Sequence, residues 1–327
     1  MSVNIKDISE KTGYSVATVS RVLNHSGSVS TTTYDSVMKV INELGYVPNT
    51  LGRNLRTLKT NIVLVIVPSM RNPFYSGIVS GIEEKAEWNG YTVLVCDTNH
   101  SYEKLKAYFE FIPQKQVDGI IYISPQGHED HSFLKGLPVV VCCESRADIP
   151  ALQVDIDNVK AGFDATMHLI AQGRRRIALI GGGIESASGL KREEGYRRAL
   201  KSAGIPIDES IVLKRYYEYK GGELAARHLF GLQNPPDAVF AISDTAAVGV
   251  INEAQVRNIS IPEELMVVGF DNLDLSKMVN PTLTTVKQPC HEMGQSAMTL
   301  LLRLLNGESG KNIQCPHELI ERKSTHL

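Results

Sequence analysis

The sequence predicts an α/β protein: a small helical module at the N-terminus, then a larger body of buried parallel sheet arranged as two lobes. Three observations carry this. From Asn61 onward, short runs apolar on both faces alternate with stretches of helical periodicity, the pattern of parallel strands covered by helices. Ahead of Asn61 that alternation is absent, and three short helical patterns separated by turn residues take its place. The length, 327 residues, exceeds one ordinary domain and fits a small module plus two lobes.

In the body the strand-like runs are NIVLVIV (61–67), YTVLVC (91–96), DGIIYI (118–123), PVVVCC (138–143), RIALIG (176–181), DAVFAI (237–242) and LMVVGF (265–270). Helical patterns fall at 76–89, 103–115, 158–172, 191–203, 221–232, 246–258 and 291–305. The segment ALQVDIDNVKAG (151–162) starts a new strand–helix unit near the midpoint, which favours two sheets over one. In such folds ligands sit at the carboxyl ends of the strands, where helix N-termini point.

In the N-terminal module, Asn4 is placed to cap a first helix with Ile5 and Ile8 at helical spacing, and Gly13 permits the sharp exit. Ser15 caps a second helix, VATVSRVLN, and Ser30 a third, Thr31–Leu44, closed by Gly45. Val19, Val22 and Leu23 form an inner face that meets Ile5, Ile8, Val37 and Ile41, leaving Val16, Ala17, Ser20, Arg21 and Asn24 outward. A short turn between two helices, the second with small and hydrogen-bonding residues outside, is the helix-turn-helix arrangement that enters a major groove. Arg21 would reach guanine bidentately, and Val16 and Ala17 offer methyl contacts to thymine. A plain three-helix bundle with a solvated face fits the same residues.

The charge is uneven. Residues 1–60 hold seven bases and four acids, a net +3 that leaves −5 for the rest of a chain whose total is −2. No acid occurs between Glu43 and Glu83. A basic module on an acidic body points to a polyanion partner for the small part. The stretch NTLGRNLRTLKT (49–60) is a weak amphipathic pattern that Gly52 destabilises further, so it folds only against a partner. If that partner is DNA, Leu55 wedges into the minor groove and Arg53 and Arg56 meet phosphates; the alternative is a basic linker.

Several classes are excluded or disfavoured. Hydrophobic residues make up 43% and charged residues 21%, the balance of a globular chain, and the longest apolar run is far short of the ~20 residues of a spanning helix. The polar start has no secretory pattern, so a cytoplasmic location is expected. The five cysteines (Cys96, Cys142, Cys143, Cys290 and Cys315) sit mostly in apolar runs without CxxC spacing, as buried small hydrophobes of a reducing compartment. The turn IGGGIESASG matches neither dinucleotide nor phosphate-loop spacing, and GxSxG and HExxH are absent. His128-Glu129-Asp130-His131 looks metal-like but lies in a polar loop beside Gly127, and no zinc or other metal site is expected. Asp155, Asp157, Asp164 and His168 gather no nucleophile, and an ordinary helix start accounts for them. No catalytic residues are assigned; the body reads as a binder.

The stretches IKDISEKTGYSVATVSRVLN, ELGYVPN and NLRTLKTN resemble the N-terminus of LacI/GalR-family bacterial transcription regulators. VPSMRNPFYSGIVSGIEE, KQVDGIIYIS, REEGYRRAL, ISDTAAVGV, VVGFDN, PTLTTVKQP and ELIERKST continue the resemblance in order along the chain. It implies a helix-turn-helix headpiece (1–46), a hinge segment (47–60) and a periplasmic-binding-protein-like core (61–327). Within the core it implies an N-lobe at about 61–156, a C-lobe at about 157–285, and a C-terminal helix returning towards the N-lobe. It further implies a homodimer on a palindromic operator of double-stranded DNA, with a small-molecule effector between the lobes and no cofactor or membrane. By position, Val16, Ala17 and Arg21 match base-reading residues and Leu55 the hinge wedge; Ser15, Thr18, Ser20, Asn24, Asn49, Arg53 and Arg56 complete the expected DNA set. Phe74, Arg192, Asp271 and Gln288 match effector positions, and Tyr75, Cys143, Glu144 and Ser243 join them in the expected effector set. Arg and Asp suit the hydroxyls of a carbohydrate and Phe its apolar face. For each of these the alternative is a lobe-closing ion pair or core packing.

The departures bear on the effector. Gly52-Arg53 stands where most members read Ala-Arg, Cys143-Glu144 where many read Asp-Arg, and Ser243-Asp244 where Asn-Asp is frequent. The chain ends at STHL with no leucine heptads, so a dimer rather than a tetramer is expected. The reading is a repressor gated by a sugar or sugar derivative. Rival readings are a catabolite-control-type regulator that binds a phosphorylated carrier protein, an α/β enzyme with a fused helical module, and an exported solute-binding protein.

Overall fold

The computed structural model describes residues 3–23, 29–46, 59–125, 130–181, 186–214 and 216–326. The chain divides into two compact units, Met1–Lys59 and Thr60–Leu327.

The first unit holds α1 (Ile5–Thr12), α2 (Val16–Leu23) and α3 (Thr31–Leu44). The expected caps form. The Asn4 side chain accepts the Lys6 amide while the Asp7 carboxylate accepts the Asn4 amide, a reciprocal capping box. Ser15 Oγ accepts the Thr18 amide and Ser30 Oγ the Thr33 amide, each at 3.2 Å. Gly13 (φ 73°) and Gly45 (φ 61°) end α1 and α3 in the left-handed conformation. Ile8, Val19, Val22, Val37 and Ile41 close the core, with Ile5 and Leu23 against it.

The second unit contains two six-stranded sheets. The first is built from β1 (Ile62–Val67), β2 (Thr92–Asp97), β3 (Gly119–Ile123), β4 (Val139–Cys142), β5 (Leu152–Ile156) and β11 (Ile313–Cys315), in the spatial order β11-β5-β4-β3-β1-β2. The second comprises β6 (Ile177–Ile180), β7 (Val212–Leu213), β8 (Ala238–Ala241), β9 (Met266–Asp271), β10 (Thr284–Lys287) and β12 (Glu318–Ile320), in the order β12-β10-β9-β8-β6-β7. Every pairing is parallel except β10 with β12. All seven runs read as strands lie in these sheets. The helices are α4 (Phe74–Glu87), α5 (Tyr102–Phe109), α6 (Asn158–Ala171), α7 (Ala187–Ser202), α8 (Tyr219–Leu229), α9 (Asp244–Val256), α10 (Leu275–Met278) and α11 (Cys290–Leu305).

Two features differ from the sequence expectations, the length of α5 and the course of the C-terminal tail. The helix expected at 103–115 ends at Phe109, because Pro113 has no N–H for the Phe109 carbonyl and its ring opposes further helix. The unit at 151–162 is split between the lobes: β5 lies between β4 and β11 in the first sheet, and α6 packs on the second. The chain therefore crosses between lobes after β5. It crosses again between β10 and α11, and once more between β11 and β12. The C-terminal helix α11 lies on β3, β4 and β5, but the tail then returns to the second lobe. There Ser324 Oγ donates to the Val267 carbonyl at 2.6 Å and accepts the Thr284 amide at 2.8 Å. A β12 of three residues is too short for its period to register against surrounding polar sequence.

Helix α6 packs on α7 backbone to backbone. A Cβ on Gly162 would overlap the backbone of Arg192, and one on Gly195 the Val159 carbonyl. This contact fixes where Arg192 leaves α7.

Candidate nucleic-acid interface and interlobe cleft

In the headpiece the first turn and outer face of α2 are open. Val16 is 40% exposed, Ala17 and Arg21 are exposed, Thr18 and Ser20 half-buried. Ser15 and Thr18 hydroxyls lie 2.9 Å apart, so both are turned to the helix start. Val19 and Val22, three apart, pack inward, while Ala17 and Arg21, four apart, share the opposite face and Val16 lies at the rim between the two. Asn24, Asn49, Arg53, Leu55 and Arg56 lie outside the described residues, as does Gly52.

In the body, the carboxyl ends of both sheets meet at a cleft. Phe74 and Tyr75, opening α4 after β1, stand edge to face at 5.5 Å between ring centroids. The Tyr75 hydroxyl is hydrogen-bonded to Ser124 at the end of β3, and burial pushes its pKa up, with Glu144, Cys143 and Asp271 near enough to raise it further. From the second lobe, the Arg192 guanidinium sits over the Phe270 ring, its Cζ 3.6 Å from the centroid. Its Nε donates to Asn158 Oδ1 at 2.9 Å and Nη1 to the Ile242 carbonyl at 2.8 Å. Asp271, the last residue of β9, accepts from Gln288 Nε2 at 2.7 Å. Burial raises the Asp271 pKa from 3.8 to about 6, against the opposing pull of Arg192 and Gln288. The fold thus brings Phe74, Tyr75, Cys143, Arg192, Asp271 and Gln288 from two lobes to one cleft.

Two expected effector residues are otherwise engaged. Ser243 caps α9: its Oγ accepts the Ala246 amide at 3.2 Å and donates to the Tyr217 carbonyl at 2.6 Å. Its hydroxyl serves in helix capping. Glu144 is 4% exposed, and its carboxylate accepts from Ser186 Oγ at 2.8 Å, the Ser188 amide at 2.7 Å and Ser188 Oγ at 2.5 Å. It bridges the lobes by direct contact. Cys143 is a buried thiol whose pKa is raised by its hydrogen bond with Cys142 and by burial, so it lines the cleft as an apolar group.

Sequence reasoning missed Asn158, Ser186, Ser188 and Lys191. Asn158 is 1% exposed and joins Asp155 (3.0 Å from Nδ2) to Arg192 at the first interlobe crossing. Asp157 read only as part of an ordinary helix start, and Ser186 and Ser188 fell in a stretch, IGGGIESASG, that read only as a turn. His128 and Glu129 lie outside the described residues, while His131 is buried beside Tyr122 and Phe133. Among the described residues no group of three or more His, Cys, Asp or Glu is placed to hold a metal ion. None of the described helices is long and apolar enough to cross a membrane. A separate groove of about 1110 Å³, lined by residues such as Pro138, Arg146, Gln153, Lys191 and Leu305, contains none of the expected site residues.

Residues 4–49 match the family model for bacterial regulatory proteins of the lacI family. Residues 60–323 match the model for periplasmic binding proteins and the sugar binding domain of the LacI family. The chain is similar to the HTH-type transcriptional repressor CytR of Escherichia coli (37% identity over 331 residues, 99% of this chain and 96% of the relative). It is likewise similar to catabolite control protein A of Priestia megaterium (37% over 333 residues, 99% and 100%). Among solved structures, the Lac repressor dimer bound to operator and an anti-inducer aligns with a TM-score of 0.90 at 25% identity, covering all of both chains. The protein belongs to the LacI family of bacterial regulatory proteins: it is a DNA-binding transcription regulator with an effector-binding core, and not an enzyme.

Proposed function

We propose that the protein is a cytoplasmic repressor that binds a palindromic operator as a homodimer and is gated by a sugar or sugar derivative held between its lobes. The observation that carries this is the meeting of Arg192, Asp271 and Gln288 from one side of the cleft with Phe74 and Tyr75 from the other. A charged donor, a charged acceptor and an amide beside aromatic rings suit a ligand with hydroxyls on its edge and apolar faces. On DNA, Arg21 reads a base edge, Val16 and Ala17 contact thymine methyls, and Ser15, Thr18 and Ser20 position the helix on phosphates. The hinge residues Asn49, Arg53, Leu55 and Arg56 belong to the same proposal.

The mechanism is linkage: an effector that favours one lobe arrangement changes operator affinity by its own differential affinity for the two arrangements, typically about 1–3 kcal/mol. No cofactor enters this scheme. Thermal-shift measurements of the purified protein against sugars, sugar phosphates, polyols and nucleobases test it. A ligand whose stabilisation rises with concentration by mass action, and whose effect is lost in Asp271→Ala, supports it. A blank screen with a folded, operator-binding protein overturns direct gating. It then favours the second reading, control by a phosphorylated partner protein, which rests on the full-length similarity to catabolite control protein A.

A further inference from the structure

At the end of β4 the backbone turns through two successive non-glycine residues in the left-handed conformation, Cys143 (φ 63°) and Glu144 (φ 53°). Such residues are strained and persist only where their surroundings hold them. What holds Glu144 is the opposite lobe: both its oxygens are engaged by Ser186 and Ser188 on the first turn of α7. The next residue adds a second contact across the same gap, the Ser145 carbonyl accepting from Lys191 Nζ at 2.6 Å. The helix does not need Glu144 as its cap, because Ser186 Oγ already accepts the Gly189 amide at 3.0 Å. A carboxylate at the positive end of a helix, sealed from water, makes stronger hydrogen bonds than neutral groups would.

We propose that Glu144 is a latch that holds the two lobes together, its carboxylate seated on the first turn of α7. An effector that favours this lobe arrangement works with the latch, and one that favours another must break it. The seat on α7 is filled by a protein carboxylate, so an anionic group of an effector gains entry there only by displacing Glu144. Neutral polyols that reach Arg192 and Asp271 meet no such competition. This deepens the reading of the cleft as an effector site and rests on that reading for its regulatory meaning; its test needs neither effector nor operator.

The test is amide hydrogen exchange by mass spectrometry on the full-length, ligand-free protein and its Glu144→Ala and Glu144→Gln variants. In Glu144→Ala, exchange should accelerate at 187–190. It should also accelerate in the cleft walls that Glu144 does not touch, 69–76 on one lobe and 270–277 on the other, while the strands of both sheets stay protected. The expected acceleration is at least roughly tenfold, the change in opening constant when even one of the three hydrogen bonds to this charged group is lost. Glu144→Gln should give a smaller change in the same segments. Acceleration confined to 187–190 would make Glu144 a local support of α7 and overturn the latch. Should Glu144→Ala fail to fold, Glu144→Gln decides between the same two outcomes. A cleft that binds no small molecule at all would leave these rates as they are, so the two readings fail separately.

Discussion

Asp271→Asn should stabilise the body of this protein while removing its response to effector, and the stability gain should depend on pH in a defined way. Burial lifts the Asp271 carboxyl from 3.8 to about 6, and Arg192 offsets only part of this. The folded state therefore binds this proton more tightly than the unfolded state does. Between about pH 4 and pH 6 the native protein carries the proton and the unfolded chain releases it, so wild-type stability falls as pH rises through that window. Above it both states are ionised, and the residual cost is about 3 kcal/mol at about 1.4 kcal/mol per pH unit. Asn keeps an oxygen for the Gln288 amide at the same place but has nothing to ionise. Urea unfolding of wild type and Asp271→Asn, followed by circular dichroism from pH 4 to pH 8, measures the difference. It should be near zero at the acid end, grow up to about pH 6 and level off near 3 kcal/mol in favour of Asn. A difference that does not change with pH, or a variant less stable throughout, would refute the reasoning.

Further outcomes follow from the same geometry. Arg21→Ala should lower the preference for the operator over a mismatched site by about 1–3 kcal/mol, read by competition binding, and leave effector affinity unchanged. Operator affinity should fall steeply with salt, with a log–log slope set by the number of phosphates neutralised. Gly162→Ala forces a methyl into the Arg192 backbone, so it should destabilise the body by about 1–3 kcal/mol and weaken effector binding by displacing Arg192. Asn4→Ala breaks the capping box of α1 and should cost the headpiece about 1 kcal/mol in thermal unfolding, with the body unaffected.

What the sequence determined by itself is whatever depends on neighbours a few residues apart. Asn4, Ser15 and Ser30 cap their helices because a short polar side chain reaches only its own first turn. The seven apolar runs became strands because they are apolar on both faces and bounded by turns, and Val19 and Val22 turned inward because helical periodicity leaves them no other core. Arg192 and Asp271 were legible as site residues through the resemblance, but not their setting over Phe270 and against Gln288. Only the tertiary structure decided that β11 adds to the first sheet beside β5, that the tail returns beside β10, and that Glu144 is engaged by serines 42 and 44 residues further along the chain. A Glu after an apolar run reads the same whether it faces water, a ligand or a helix N-terminus. Its partner is set by which loops the packed sheets bring together, and periodicity carries no record of contacts at that separation.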